Sequence, residues 1–233
     1  MALTDDPVIK KLIAWGEARD DVRAAILTST RAATGSPTDE FSDYDIVYLV
    51  RDIRPYLDDT WLGDFGEVLN LYRDPVETRF GHERFIRVTQ YEDGLKIDFT
   101  ICAAGWLDEV RKQSELPPVL DVGYAVLLDK DGATQGLRPF TGTARVPKPP
   151  TEATFREAIL NFFSNAAYEA KYICRGDIFP MTGMQDFIRQ GRLRQMLEWQ
   201  VAAETSWTVP DGTCGRGLDA RLDAATLAEL KAL

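Results

Sequence analysis

The sequence predicts an α+β protein, with a mixed β-sheet domain first and an α-helical bundle after it. Three observations carry this. Apolar residues recur with period two in short runs up to residue 128. Gly136, Pro139, Gly142, Pro147, Pro149 and Pro150 then crowd a stretch that reads as a linker. Beyond it the apolar period lengthens to that of a helix. The expected domains are residues 1–140 and residues 151–233.

The elements follow in order. Asp5-Asp6-Pro7 starts a helix with a capping carboxylate and a proline at its first turn, and Val8, Leu12, Ile13 and Trp15 give it an apolar face. Arg23–Ser29 and Asp45–Val50 read as strands, and Pro55–Asp64 as a short helix. Val68–Tyr72, Phe85–Tyr91 and Leu95–Cys102 read as strands, the last two joined in a hairpin by Glu92-Asp93-Gly94. Gly105–Gln113 is a helix and Tyr124–Leu128 an edge strand. In the second domain Phe155, Ile159, Phe162, Phe163, Ala166 and Ala170 mark a long helix ending near Arg175-Gly176. Ile178–Gly183 is irregular, with Pro180 and Gly183 inside it. Phe187–Ala203 is a second helix and Asp219–Leu233 a third. That last helix reaches the chain end without a terminator, so the sequence is expected to be cut short or frayed there.

Composition narrows the class. The formal net charge of −10 argues against a nucleic-acid partner, which calls for a basic face, and favours a cationic small molecule. Cys102, Cys174 and Cys214 match no zinc or redox spacing. No apolar stretch approaches membrane-spanning length, and residues 1–11 carry no signal peptide, so the expected setting is cytoplasmic and reducing. Oligomeric state stays open. His82, the one histidine, reads as structural.

The chemistry concentrates in Asp43-Tyr44-Asp45 and Asp98. Residues two apart on a strand share a face, and neighbouring strands would bring three carboxylates to one patch. Like charges that close need a compensating cation, and hard oxygen donors suit Mg2+. Upstream, Leu27-Thr28-Ser29-Thr30-Arg31 is a strand end passing into a turn of small residues, where backbone and hydroxyl groups can meet phosphate oxygens. Arg31 adds positive charge. Asp43 and Asp45 can hold one or two ions, and Asp98 can complete the shell or accept a proton. Such a site suits transfer of a nucleotidyl group to a hydroxyl. In the helical domain Glu169, Asp177, Asp186, Glu198 and Glu204 are candidates to receive a cationic acceptor, with Asp177 and Asp186 favoured because they flank the irregular segment.

The arrangement resembles the nucleotidyltransferase superfamily, whose motif is Gly-[Gly/Ser], a short spacer, then Asp-x-[Asp/Glu]. Ser29-Thr30 stands at the first position, with twelve residues between Thr30 and Asp43. Val22-Arg23-Ala24, Thr28 to Arg31, Phe41 to Tyr48, Phe65-Gly66-Glu67 and Lys96 to Thr100 look like the aminoglycoside 6-adenylyltransferases, which modify streptomycin. So do Met196 to Trp199 and the Gly215-Arg216-Gly217-Leu218 turn. The resemblance implies a nucleotidyltransferase-like sheet domain, ATP as co-substrate, Mg2+, and AMP transfer to an aminoglycoside hydroxyl. It implies Asp43, Asp45 and Asp98 as metal ligands, with Asp98 the alternative base. It also implies Ser29, Thr30 and Arg31 as the triphosphate-facing turn, and Arg216 as a phosphate contact. Ser29 departs from the family glycine, and Thr182 and Thr213 stand where lysines are expected. These changes leave open another acceptor, such as a lincosamide or a protein side chain, or a nucleotide-binding homologue without turnover.

Overall fold

The period-two runs become one seven-stranded sheet. The structure is a computed structural model that describes residues 5–33 and 38–232, so residues 1–4, 34–37 and 233 lie outside the described residues. Its strands are β1 (Val22–Thr28), β2 (Tyr44–Val50), β3 (Val68–Arg73), β4 (Glu77–Arg79), β5 (His82–Tyr91), β6 (Lys96–Ala103) and β7 (Tyr124–Asp129). They lie in the order β3-β5-β6-β2-β1-β7, with β4 paired to β5 off that path. All pairings are antiparallel except β2 with β6. Tyr124–Asp129 is an edge strand, as its short apolar run predicts. The β5–β6 turn closes with Gly94 at φ +86°, a backbone that glycine adopts freely.

Alternation along the central strands feeds two cores. Val22, Ala25 and Leu27 of β1, Ile46, Tyr48 and Val50 of β2, and Ile97, Phe99 and Ile101 of β6 face helix α1 (Pro7–Glu17). Trp15 of α1 packs among Tyr48, Tyr56, Trp61 and Phe65, at ring-centroid distances of 4.8 to 6.0 Å. Ala24, Ile26, Val47, Leu49 and Cys102 face the other way, onto Trp106, Leu107 and Val110 of α2 (Trp106–Lys112) and Leu120 of α3 (Pro118–Asp121). Asp6 caps α1, its Oδ1 accepting from the Val8 and Ile9 amides at 2.8 and 3.2 Å, with Pro7 in the first turn.

Three expectations change in this unit. Pro55–Asp64 is two 3-10 turns, Arg54–Tyr56 and Thr60–Asp64, because Asp59 between them takes φ +63° and breaks the helix. β5 begins at His82, three residues early, because it pairs with the short β4 that the sequence did not disclose. The helix at Pro118–Asp121 was likewise unforeseen.

The chain separates into two units, Met1–Ala144 and Arg145–Leu233. The second is helical. Its α4 (Glu152–Arg175) is capped by the Thr151 hydroxyl, which accepts from the Thr154 amide at 3.1 Å, and stopped by Gly176 at φ +70°. The segment expected to be irregular is a helix, α5 (Ile178–Asp186). Pro180 is its third residue, where the missing N–H has no helical partner to lose. A π-helical turn at Phe187–Leu193 leads into α6 (Arg194–Glu204), so the second predicted helix is the end of a longer helical run. Asn161 of α4 accepts from Arg192 at 2.8 Å, and Phe155 of α4 meets Trp199 of α6 at 6.1 Å. The final helix, α7 (Ala224–Ala232), starts five residues later than expected because Asp223 caps it, accepting from the Ala225 and Thr226 amides at 2.9 Å. Among the described residues no helix is long and apolar enough to cross a membrane.

Candidate active site

The acidic patch is a product of register. β2 and β6 run parallel with Asp45 opposite Asp98, and β1 runs antiparallel with Thr28 opposite Asp45. The pairings extend this into one row across the sheet: Tyr72, Val88, Asp98, Asp45, Thr28 and Tyr124. Residues paired this way share a face. It is the face whose apolar part lies under α2 and α3, and the row marks where that apolar layer gives way to polar side chains. Asp43, one residue ahead of β2, joins Asp45 by alternation. The three acids thus lie at the starting ends of two parallel strands, beside the end of β1 where the chain turns through Ser29–Arg31.

Lys96 is the residue the sequence reading passed over. Two residues before Asp98 on β6, it sends its Nζ to Asp43 Oδ2 at 2.6 Å and to Asp98 Oδ2 at 3.3 Å, and lies 3.2 Å from Asp98 Oδ1. The same rule that paired Asp43 with Asp45 would have placed Lys96 beside Asp98. Asp98 Oδ1 is buried and receives no aligned hydrogen bond, so the pull of the ammonium on it is Coulombic. Burial raises the Asp45 carboxyl to about 6, and the Asp98 charge acts in the same direction. A hydrogen bond from the Ser29 hydroxyl and the charge of Lys96 oppose it. Burial also raises Asp98, against Lys96. Burial weakens the Lys96 ammonium, but its hydrogen bond to Asp43 and the Asp98 charge outweigh that and leave its pKa above the ordinary value.

The turn before these acids is held in an unusual backbone. Ser29 has φ +65°, the left-handed region that a glycine enters without strain. Serine here holds a torsion that glycine would adopt freely, and its hydroxyl interacts with the Asp45 carboxylate in favour of the charged form. Thr30 is half-buried in the same 3-10 turn. Arg31 turns back along the chain. Its Nη2 and Nε donate to the Ser42 carbonyl at 2.6 and 3.2 Å, and Nε also donates to the Asp43 carbonyl at 3.1 Å. Its guanidinium stacks 3.8 Å from the Tyr44 ring centroid and pairs with Asp6 Oδ2 at 3.7 Å. The Tyr44 hydroxyl donates to that same Asp6 oxygen at 2.8 Å. Burial first, and the Asp6 hydrogen bond second, push this phenol up to about 12. Arg31 thus clamps the backbone that delivers Asp43 and Asp45, a role no local pattern announced.

The donor set fits a hard divalent cation. Carboxylates from adjacent strands converge, and one of their oxygens, Asp98 Oδ1, is buried without a hydrogen-bond donor. Among the described residues no three acidic, His or Cys side chains already form a metal-ligating group. Asp43, Asp45 and Asp98 are neighbours rather than a closed shell, and the Lys96 ammonium bridges two of them.

The remaining candidates, Asp177, Asp186 and Arg216, belong to the second unit. Asp177 is the exposed N-cap residue of α5, and Asp186 is the exposed last residue of that helix. Both therefore flank a helix and not an irregular loop. Arg216 is exposed just after the 3-10 turn Thr213–Gly215. His82 lies against Gly105, where a Cβ would come within 2.5 Å of its ring, so the histidine is a packing residue.

Comparison with known proteins bears on this geometry. A model of the streptomycin adenylyltransferase family matches residues 4–233. An aminoglycoside 6-adenylyltransferase of Campylobacter jejuni is 29% identical over 184 residues, covering 77% of this chain and 61% of the relative. Enzymes of the same name are 26% identical in Staphylococcus aureus, covering 85% of this chain and 70% of the relative, and 26% identical in Bacillus subtilis, covering 82% and 66%. The matched region thus spans between 61% and 70% of the length of these relatives. A crystal structure of an aminoglycoside 6-adenyltransferase from Bacillus subtilis overlays with a TM-score of 0.39 at 22% identity, covering 96% of this chain and 77% of that one, too loose a likeness to bear on the site. With nearly every residue inside the family match, the chain belongs to the streptomycin adenylyltransferase family.

Proposed function

We propose that this chain transfers AMP from ATP to a hydroxyl of an aminoglycoside, with streptomycin the first acceptor to test. The observation that carries the reading is the in-register apposition of Asp45 and Asp98, with Asp43 beside them and the Ser29–Arg31 turn at the same end of the sheet. Asp43, Asp45 and Asp98 would hold Mg2+, which supplies charge neutralisation at the phosphates and polarises the α-phosphorus. The Ser29 and Thr30 turn would face the triphosphate. Arg31 keeps the acids in place through its grip on the Ser42 and Asp43 carbonyls.

In the step itself the acceptor hydroxyl gives its proton to the Asp98 oxygen left outside the metal shell as its own oxygen bonds to the α-phosphorus. The bond between that phosphorus and the α–β bridging oxygen breaks, and pyrophosphate leaves with the electron pair. The net charge of −10 favours approach of a polycationic acceptor, and the exposed Asp177 and Asp186 are the carboxylates proposed to receive its guanidinium or ammonium groups. A need for ATP would suit a cytoplasmic setting.

Incubation of the protein with streptomycin, ATP and Mg2+ is expected to add one adenylyl unit to the antibiotic by mass spectrometry. Asp45→Asn is expected to abolish pyrophosphate release while leaving the circular dichroism spectrum unchanged. Undiminished turnover in that variant would remove the metal assignment. Transfer to a lincosamide in place of streptomycin would keep the chemistry and change the acceptor.

A further inference from the structure

The acidic cluster already owns a cation. Lys96 Nζ bridges Asp43 Oδ2 at 2.6 Å and the Asp98 carboxylate at 3.2 and 3.3 Å. These carboxylates are two of the three proposed to hold a divalent ion. Across the sheet Lys96 is paired with the neutral Gln90, and its ion pairs are with Asp43 and Asp98. Its side chain is 27% exposed, so the ammonium is partly shielded from water and ions, yet the flexible four-carbon stem can swing it outward.

We infer that Lys96 is a positioning residue that competes with the divalent ion for Asp43 and Asp98, so that the chain takes up metal together with a nucleotide's phosphates and not alone. The inference rests on the metal-binding reading of residues 43, 45 and 98. Two cations drawn to the same two carboxylates repel at this spacing, so each weakens the other's hold. A metal ion arriving by itself must displace the ammonium and leave it beside a new dication. A metal ion arriving with phosphates brings anionic oxygens that can receive the displaced ammonium. Metal and nucleotide are then coupled, and the coupling is reciprocal: each tightens the other by the same factor. In the absence of both, Lys96 holds Asp43 and Asp98 together.

The test uses Mn2+ as probe, read by electron paramagnetic resonance on nucleotide-free protein. Lys96→Met is expected to bind Mn2+ about tenfold more tightly than the parent. It should also show a smaller gain in Mn2+ affinity when a non-hydrolysable ATP analogue is added. Lys96→Arg keeps the charge and should stay close to the parent. Thermal melts supply a second readout. Lys96→Met should melt lower than the parent without metal and recover with Mn2+, whereas a lysine that merely braces two strands would leave a deficit that metal does not repair. If Lys96→Met folds poorly, Lys96→Gln serves for the same measurements. Tighter Mn2+ binding that Asp45→Asn abolishes supports the inference. Binding that is sensitive to Asp45→Asn but no tighter in Lys96→Met or Lys96→Gln overturns it and leaves the metal site standing. Absence of any Asp45-dependent binding overturns the metal reading and this inference with it.

Discussion

The two units of this chain are built on different logics. The sheet unit buries aromatic and aliphatic side chains on both faces and threads charged groups through that interior: Asp6, Arg87 and Asp121 are all buried. The helical unit carries few fully buried apolar side chains among its described residues, namely Ala158, Ile188, Val201 and Ala202. It leaves Leu160, Phe163, Ile178 and Phe179 exposed. Its helices are set by local signals, the Thr151 cap, the Gly176 stop and the Asp223 cap. A site that depends on ångström-level register therefore sits where long-range pairing fixes the backbone, and the helices are free to vary their surfaces.

The largest difference should appear on breaking an ion pair in each unit. Asp59 holds both Arg73 and the buried Arg87, whose Nη1 also donates to the Asp74 and Ile86 carbonyls at 3.1 Å. Asp59→Ala leaves a buried guanidinium without its counter-charge and is expected to cost about 3–5 kcal/mol in urea unfolding. In the helical unit the Arg156–Glu152 pair is exposed, with side-chain exposures of 72% and 79%. Glu152→Ala there should cost no more than about 0.5 kcal/mol. Equal losses would dissolve the distinction between the units.

A smaller effect is expected at Asp121. Its carboxylate accepts from the Thr141, Thr143 and Ala144 amides at 2.8, 3.1 and 2.9 Å and from the Thr141 hydroxyl, which pins residues 141–144 to α3. Burial alone would raise this carboxyl, but these hydrogen bonds outweigh burial and hold it below the ordinary value. A depressed folded-state pKa contributes stability that is present above the unfolded value of about 4 and is lost as pH falls through the folded value. Asp121→Ala should cost about 2–3 kcal/mol at neutral pH. It should also flatten the fall in stability below about pH 4. An unchanged acid slope would assign that slope to other carboxylates.

How much of this was legible follows the same division. Alternation, a local fact, puts Asp43 with Asp45 and Lys96 with Asp98, whereas the adjacency of β2 and β6 that joins the two pairs was a condition of the sequence reading and is supplied by long-range pairing. Asp59–Arg87 was not legible, since the partners are 28 residues apart and meet only because Asp59 breaks a helix. Arg31 was readable as a charge beside phosphates but not as a clamp on the Ser42 and Asp43 carbonyls, because that contact requires the chain to fold back on itself. In the helical unit Pro180 looked like a helix breaker. Its effect depends on position in the turn, and at the third residue of α5 it breaks nothing. The short β4 had too few residues to show a period.

Polar replacement on the helical surface should change little. Leu160→Ser or Phe179→Ser, at residues 68% and 89% exposed, is expected to shift unfolding free energy by under about 0.5 kcal/mol. A loss above about 1 kcal/mol would mean that something covers these side chains in solution.

The smallest net effect is expected at Ser29, where two opposing contributions nearly cancel. The residue holds φ +65°, which costs a side chain with a Cβ about 1–2 kcal/mol that glycine does not incur. Glycine in turn loses about 0.4–1 kcal/mol through the greater freedom of its unfolded chain, and Ser29→Gly also removes the hydroxyl that donates to Asp45. The melting temperature should therefore move little in either direction. The torsion and the hydroxyl can be separated with Ser29→Ala, which keeps a Cβ in the strained backbone and lacks the donor. It should melt below both the parent and Ser29→Gly. If Ser29→Ala is the most stable of the three, the strain at this turn is not carried by the Cβ, and the preference for glycine at the family's position needs a cause other than backbone geometry.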